Sequence, residues 1–168
     1  VGGTPLDFRK ETMIGKRIDS DYDMLNFCCG YDHNFIVSGE EYKATDLSHA
    51  LPDANGSANN FADNLKLKHA ATLTSPDDNL KLRHAASLIA PDDDLRLDVY
   101  SDLPGVQVYT GNFIPSGKGK DGKDYIRRGG IAIETQYYPN AVNTPSFPQP
   151  IIQANRDVYS RSVYEFSC

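Results

Sequence analysis

The chain has 168 residues, 39% of them hydrophobic and 24% charged, and carries a formal net charge of −6 at pH 7. That length is enough to bury one core and favours a single domain over residues 1–168, while the acidic balance and the lack of any Lys/Arg stripe argue against a nucleic-acid or anionic-membrane partner. No apolar run reaches the roughly 20 residues of a membrane span.

The chain opens on Val1-Gly2-Gly3-Thr4-Pro5, with neither an initiator Met nor a signal-peptide pattern, as expected of a processed product or a piece of something longer. Helical periodicity is almost absent. Short alternating segments rich in Val, Ile, Tyr and Thr are separated by Gly, Pro, Asn and Asp clusters, which predicts an all-β antiparallel sandwich or barrel. Strands are expected at 34–37, 65–73, 80–89, 95–101, 106–110, 131–136 and 162–166, with loops at 48–64 and 116–124. Cys28 and Cys29 are adjacent, and with Cys168 they make neither a disulfide framework nor a spaced metal motif. They point to a reducing, cytoplasmic setting, with the first two as small packing residues. The histidines lack metal-ligand spacing, and no cofactor is expected.

Residues 64–78 are succeeded at once by a second copy at 79–93, identical at eleven of fifteen positions, and Asp94-Leu95-Arg96-Leu97 begins a third. Each unit reads as one strand plus a Pro-Asp-Asp turn, so one extra unit in an antiparallel meander reverses the direction of every later strand. His69 and His84 hold equivalent places in the two copies, which makes them products of a tandem duplication rather than a chemical pair. In the 116–124 loop, Lys118-Gly119-Lys120-Asp121-Gly122-Lys123 lacks a helix start behind it and P-loop spacing, and reads as a solvated hairpin tip.

The run Gly129-Gly130-Ile131-Ala132-Ile133-Glu134-Thr135-Gln136 places a carboxylate inside an otherwise strand-like segment. Period-two alternation puts Ile131 and Ile133 on one face and Ala132, Glu134 and Gln136 on the other. Two readings stay open from the strand alone. Glu134 is either a general base whose partial desolvation moves its pKa toward neutrality, or a solvated residue on an edge strand.

Taken together, Thr4-Pro5-Leu6-Asp7-Phe8-Arg9, Gly30-Tyr31-Asp32-His33-Asn34-Phe35, Pro104-Gly105-Val106-Gln107-Val108-Tyr109-Thr110-Gly111-Asn112, Glu134-Thr135-Gln136 and Pro139-Asn140-Ala141-Val142-Asn143 with Phe147-Pro148 closely resemble the aldose 1-epimerase (galactose mutarotase) family. The resemblance implies an antiparallel β-sandwich of the mutarotase type, with an aldohexose in an open cleft across one sheet. It implies Glu134 as the catalytic base, Asp32 as the residue that hydrogen-bonds sugar hydroxyls, and Gln107 as a cleft residue. Tyr109, Tyr137 and Tyr138 are candidates for aromatic surface or core. It further implies that this chain is the C-terminal half of a protein about twice as long. The general-acid histidine would then lie in the absent half, because His33 points away from Asp32's face. A joined N-terminal half or a homo-oligomer partner is therefore expected. The competing expectations are a non-catalytic carbohydrate-binding module and a structural or engineered half-sandwich.

Overall fold

A computed structural model describes residues 1–43, 81–92 and 94–168. They divide into one unit of Val1–Phe35 with Gln107–Glu134 and a second drawn from Ile36–Val106 and Thr135–Cys168. Two short helices, α1 (Ile14–Arg17) and α2 (Asp23–Cys28), precede the strands β1 (Asp32–Ile36), β2 (Glu41–Lys43), β3 (Lys81–Ile89), β4 (Arg96–Ser101), β5 (Gly105–Tyr109), β6 (Gly117–Lys118), β7 (Asp124–Tyr125), β8 (Ala132–Gln136) and β9 (Ser162–Ser167). The sheets run β1-β5-β8, β2-β3-β4-β9 and β6-β7. The class is all-β with antiparallel pairing, as expected.

The predicted strands reappear with ends shifted by a residue or two, except 65–73, which lies outside the described residues together with the predicted loop at 48–64 and the first repeat copy at 64–78. The second copy supplies β3. The lysine-rich stretch is a hairpin tip: β6 and β7 pair antiparallel around a 3-10 turn at Lys120–Gly122, and Lys118 meets Asp124 at 2.7 Å. The helices and β2 are not among the predicted elements. At 4 and 6 residues the helices are too short to display a 3.6-residue period.

In the first unit the core gathers Leu6, Ile18, Leu25 and Tyr31, with Phe8, Ile14, Tyr22 and Phe35 packed against it. Phe8 meets Tyr31 edge-on with ring centroids 5.0 Å apart and Phe35 at 6.0 Å, the geometry aromatic quadrupoles favour. The Tyr31 hydroxyl, which needs a partner once buried, donates to the Pro5 carbonyl at 3.1 Å. Asp7 and Arg9 form a two-point ion pair at 2.8 Å per contact, and Arg17 donates to the Asp7 carbonyl while lying over the Phe8 ring. The Thr4–Arg9 motif is thus a scaffold that seats Leu6 and Phe8.

In the second unit Leu82 and Val163 are buried against Tyr100, and Val99 and Ser101 are fully buried. A bulge between His84 and Ala86 shifts the β3–β4 register. Residues three apart on a regular strand face opposite ways, so it is this extra residue that brings His84 and Ser87 to one side. Both then reach Asp98, which also takes two hydrogen bonds from Arg96, at 2.6 and 2.8 Å. The set contains Ser, His and Asp yet is not a hydrolytic triad, because Ser87 and Asp98 share the same ring nitrogen, Nε2.

Burial opposes ionisation of Asp98, but the hydrogen bonds from Arg96, Ser87 and His84 prevail and hold its pKa at about 2, below the ordinary 3.8. A depressed carboxylate pKa stabilises the fold above the unfolded value, and that stability is lost as pH falls through the folded one. Asp98→Asn is expected to cost on the order of 2 kcal/mol at pH 7 and to flatten the fall in stability between pH 4 and 2, as read by denaturant unfolding across that range.

Candidate active site

The three-stranded sheet owes its register to contacts far apart in sequence. Thr110 N–H donates to the Tyr31 carbonyl at 3.1 Å, and Val37 N–H donates to the Pro104 carbonyl at 2.9 Å. One strand therefore ascends as the other descends, and Asn34 stands opposite Gln107 and Asp32 opposite Tyr109. Alternation then sorts the two faces. Tyr31, His33 and Phe35 turn to the hydrophobic core, whereas Asp32, Asn34, Gln107 and Tyr109 turn away from it.

A buried polar lock pins this register. Tyr31 N–H donates to Thr110 Oγ1 at 3.1 Å, Thr110 Oγ1 donates to Asn112 Oδ1 at 2.8 Å, and Asn112 Nδ2 donates to the Cys28 and Tyr31 carbonyls, both at 2.9 Å. Gly30 has φ +141°, and a Cβ there would run into the Asn112 side chain. Glycine is required on both counts. Just before it, Cys29 ends α2 in the left-handed region at φ 56°, and its carbonyl accepts from Arg127 at 3.1 Å and Arg128 at 3.0 Å. Arg128 also grips Asp19 through two hydrogen bonds, at 2.9 and 2.7 Å. Cys29 is exposed and serves through its backbone, not as the packing residue expected. Cys28 is half-buried, and burial pushes its thiol pKa up.

Of the three site residues named from the sequence, the structure joins two directly. Gln107 Nε2 donates to Asp32 Oδ1 at 2.6 Å, a short charge-assisted bond across 75 positions of sequence. Glu134 lies on β8, the strand beside β5, and is exposed. The edge-strand position that is the plainer reading of Glu134 is also its observed setting.

His33 is buried on the core side, turned from the face of Asp32, and burial pushes its pKa below the usual imidazole value. The Tyr109 hydroxyl accepts from Phe113 N–H at 2.9 Å. Tyr138 packs edge-on to Phe147, with centroids 5.1 Å apart, which makes it a packing residue. One polar group on the face turned from the core is not among the residues the sequence singles out. Asn34 comes two residues after Asp32 and so shares its side, and its buried Nδ2 has no hydrogen-bond partner among the described residues.

The family profile described as aldose 1-epimerase matches residues 1–165. The chain belongs to the aldose 1-epimerase family. It is 32% identical to galactose mutarotase of Homo sapiens over 99% of its own length and 36% of that protein. It is 31% identical to aldose 1-epimerase of Escherichia coli (strain K12), over 99% of its length and 37% of the relative. A solved GalM/aldose epimerase homologue from C. elegans is similar at 27% identity and a TM-score of 0.43, over 46% of this chain and 24% of that one. The chain thus spans little more than a third of the aldose 1-epimerase family members it matches, not the half expected from its motifs.

Proposed function

We propose that this chain is the C-terminal part of an aldose 1-epimerase that interconverts the α and β anomers of an aldohexose, with Glu134 as base, Asp32 and Gln107 as sugar-binding groups, and no cofactor. The observation that carries the reading is the 2.6 Å bond between Gln107 and Asp32 on the face turned from the core, in a sheet whose next strand bears Glu134. Glu134 takes the proton of the C1 hydroxyl while an acid protonates the ring oxygen. The bond from C1 to that oxygen breaks, the open aldehyde turns about C1–C2, and closure from the other face reverses the proton transfers.

The acid is not supplied by the described histidines. His33 faces the core, and His84 is engaged with Asp98 and Ser87. The acid, and the cover that would desolvate an exposed Glu134, come from an upstream part of the same protein or from a second copy. The free thiols of Cys28, Cys29 and Cys168 favour a cytoplasmic setting, the proposed aldohexose substrate puts the activity in hexose metabolism, and among the described residues no helix is long and apolar enough to cross a membrane.

The test is polarimetry on freshly dissolved α-D-galactose and α-D-glucose, with this chain alone and with the chain joined to the upstream part of a family member. Acceleration is expected only from the joined protein. Acceleration by the chain alone would show that an acid lies within it or is supplied by a second copy, and none from the joined protein would sink the catalytic reading.

A further inference from the structure

We infer that Asn34 is a positioning residue for the sugar site, and that its amide takes over Gln107 when a sugar hydroxyl displaces Gln107 from Asp32. The inference deepens the proposed function and rests on it. Three observations carry it. Asn34 Nδ2 is buried with no hydrogen-bond partner among the described residues, a costly state for an amide donor. Gln107 stands directly opposite Asn34 in the β1–β5 register set by the Tyr31–Thr110 and Val37–Pro104 bonds. Those bonds fall at Tyr31 and Val37, the residues flanking β1 and each an odd number of positions from Asn34, so Asn34 and Gln107 form a non-hydrogen-bonded pair, the kind whose side chains approach most closely. Finally, Gln107 spends its Nε2 on Asp32, and this donation leaves its Oε1 as an acceptor within the same cluster.

The exchange conserves hydrogen bonds. In the sugar-free state Asp32 is satisfied by Gln107, and Asn34 is not satisfied. A sugar hydroxyl that donates to Asp32 takes the place of Gln107 Nε2. The Gln107 amide then turns so that Oε1 accepts from Asn34 Nδ2 and Nε2 is free to donate to another sugar oxygen. Asn34 touches no reacting atom in this scheme. It makes the release of Asp32 less costly and fixes where Gln107 goes.

The test is a double-mutant cycle on this chain, with Asn34→Ala, Gln107→Ala and both together, read twice. D-galactose titration monitored by NMR gives Kd, and denaturant unfolding without sugar gives stability. Asn34→Ala is expected to weaken galactose binding about 3- to 10-fold, the worth of one hydrogen bond. It should have no further effect once Gln107 is Ala. Sugar-free stability should be unchanged or raised, because a buried unmet donor is removed. Equal weakening in both backgrounds, or coupling that appears in sugar-free unfolding, would overturn the inference while leaving the sugar site standing. Absence of any galactose binding by the unsubstituted chain would overturn the site and this inference together.

Discussion

Replacing Glu134 by Gln in the joined protein is expected to lower the acceleration of mutarotation by roughly 10²- to 10⁴-fold, the contribution of one well-placed general base. The substitution keeps the size and hydrogen-bonding reach of the side chain and removes only its capacity to take a proton. Glu134 is exposed and its side chain makes no hydrogen bond or ion pair among the described residues, so the fold should be unaffected. Unfolding midpoints that match, with kcat reduced and galactose Kd nearly kept, would place the loss in the chemical step. Asp32→Ala should do the reverse in emphasis, since it removes the group that Gln107 holds at 2.6 Å and with it the polar centre of the face turned from the core. A Glu134→Gln protein that retains full rate would move the base elsewhere in the molecule.

Gly30→Ala is expected to destabilise the chain by about 3 kcal/mol or more, which is large for the addition of one methyl group. Two costs combine. A non-glycine residue in that backbone region costs roughly 1–3 kcal/mol, and displacing the Asn112 side chain breaks hydrogen bonds to buried carbonyls at roughly 1–3 kcal/mol for groups left unsatisfied. The site should suffer with the fold, because the displaced atoms belong to the lock that sets β1 against β5. Gly15→Ala is the matched control. A Cβ at Gly15 meets nothing within 4 Å, and the residue lies in α1, so alanine there should be neutral or stabilising. Thermal or denaturant unfolding of the two variants side by side measures the contrast. Similar midpoints would show that the lock is not what holds the strands in register.

Much of this architecture can be read from local pattern alone. Val106, Val108 and Tyr109 announce β5, and the alternation through Ile133, Glu134 and Thr135 announces β8, because side-chain period is written directly in the residues. The motifs of the family resemblance name Asp32, Gln107 and Glu134, yet only pairing brings the first two together. That pairing depends on Thr110 and Asn112 meeting Tyr31 some 80 positions away, a contact no local window contains. The bulge at His84 is equally hidden, since an extra residue in a ladder is defined by the partner strand. The helices escape because one turn carries no period, and Asn34 escapes because an unmet hydrogen bond is visible only when every neighbour has been placed.

The lock between Tyr31 and Asn112 also says where this protein can be lengthened. Both ends of the Asp32–Gln107 clasp are tied by contacts within a few residues of each, while the chain that joins β1 to β5 runs through the repeated segment. Extending a long connection raises its closure cost only logarithmically, by about 0.6 kcal/mol for each doubling. The second copy supplies β3, with Leu82 fully buried, so added length such as a tag or a reporter belongs in the exposed turn at Pro91-Asp92 between β3 and β4, where it would leave the residues that would face a sugar undisturbed.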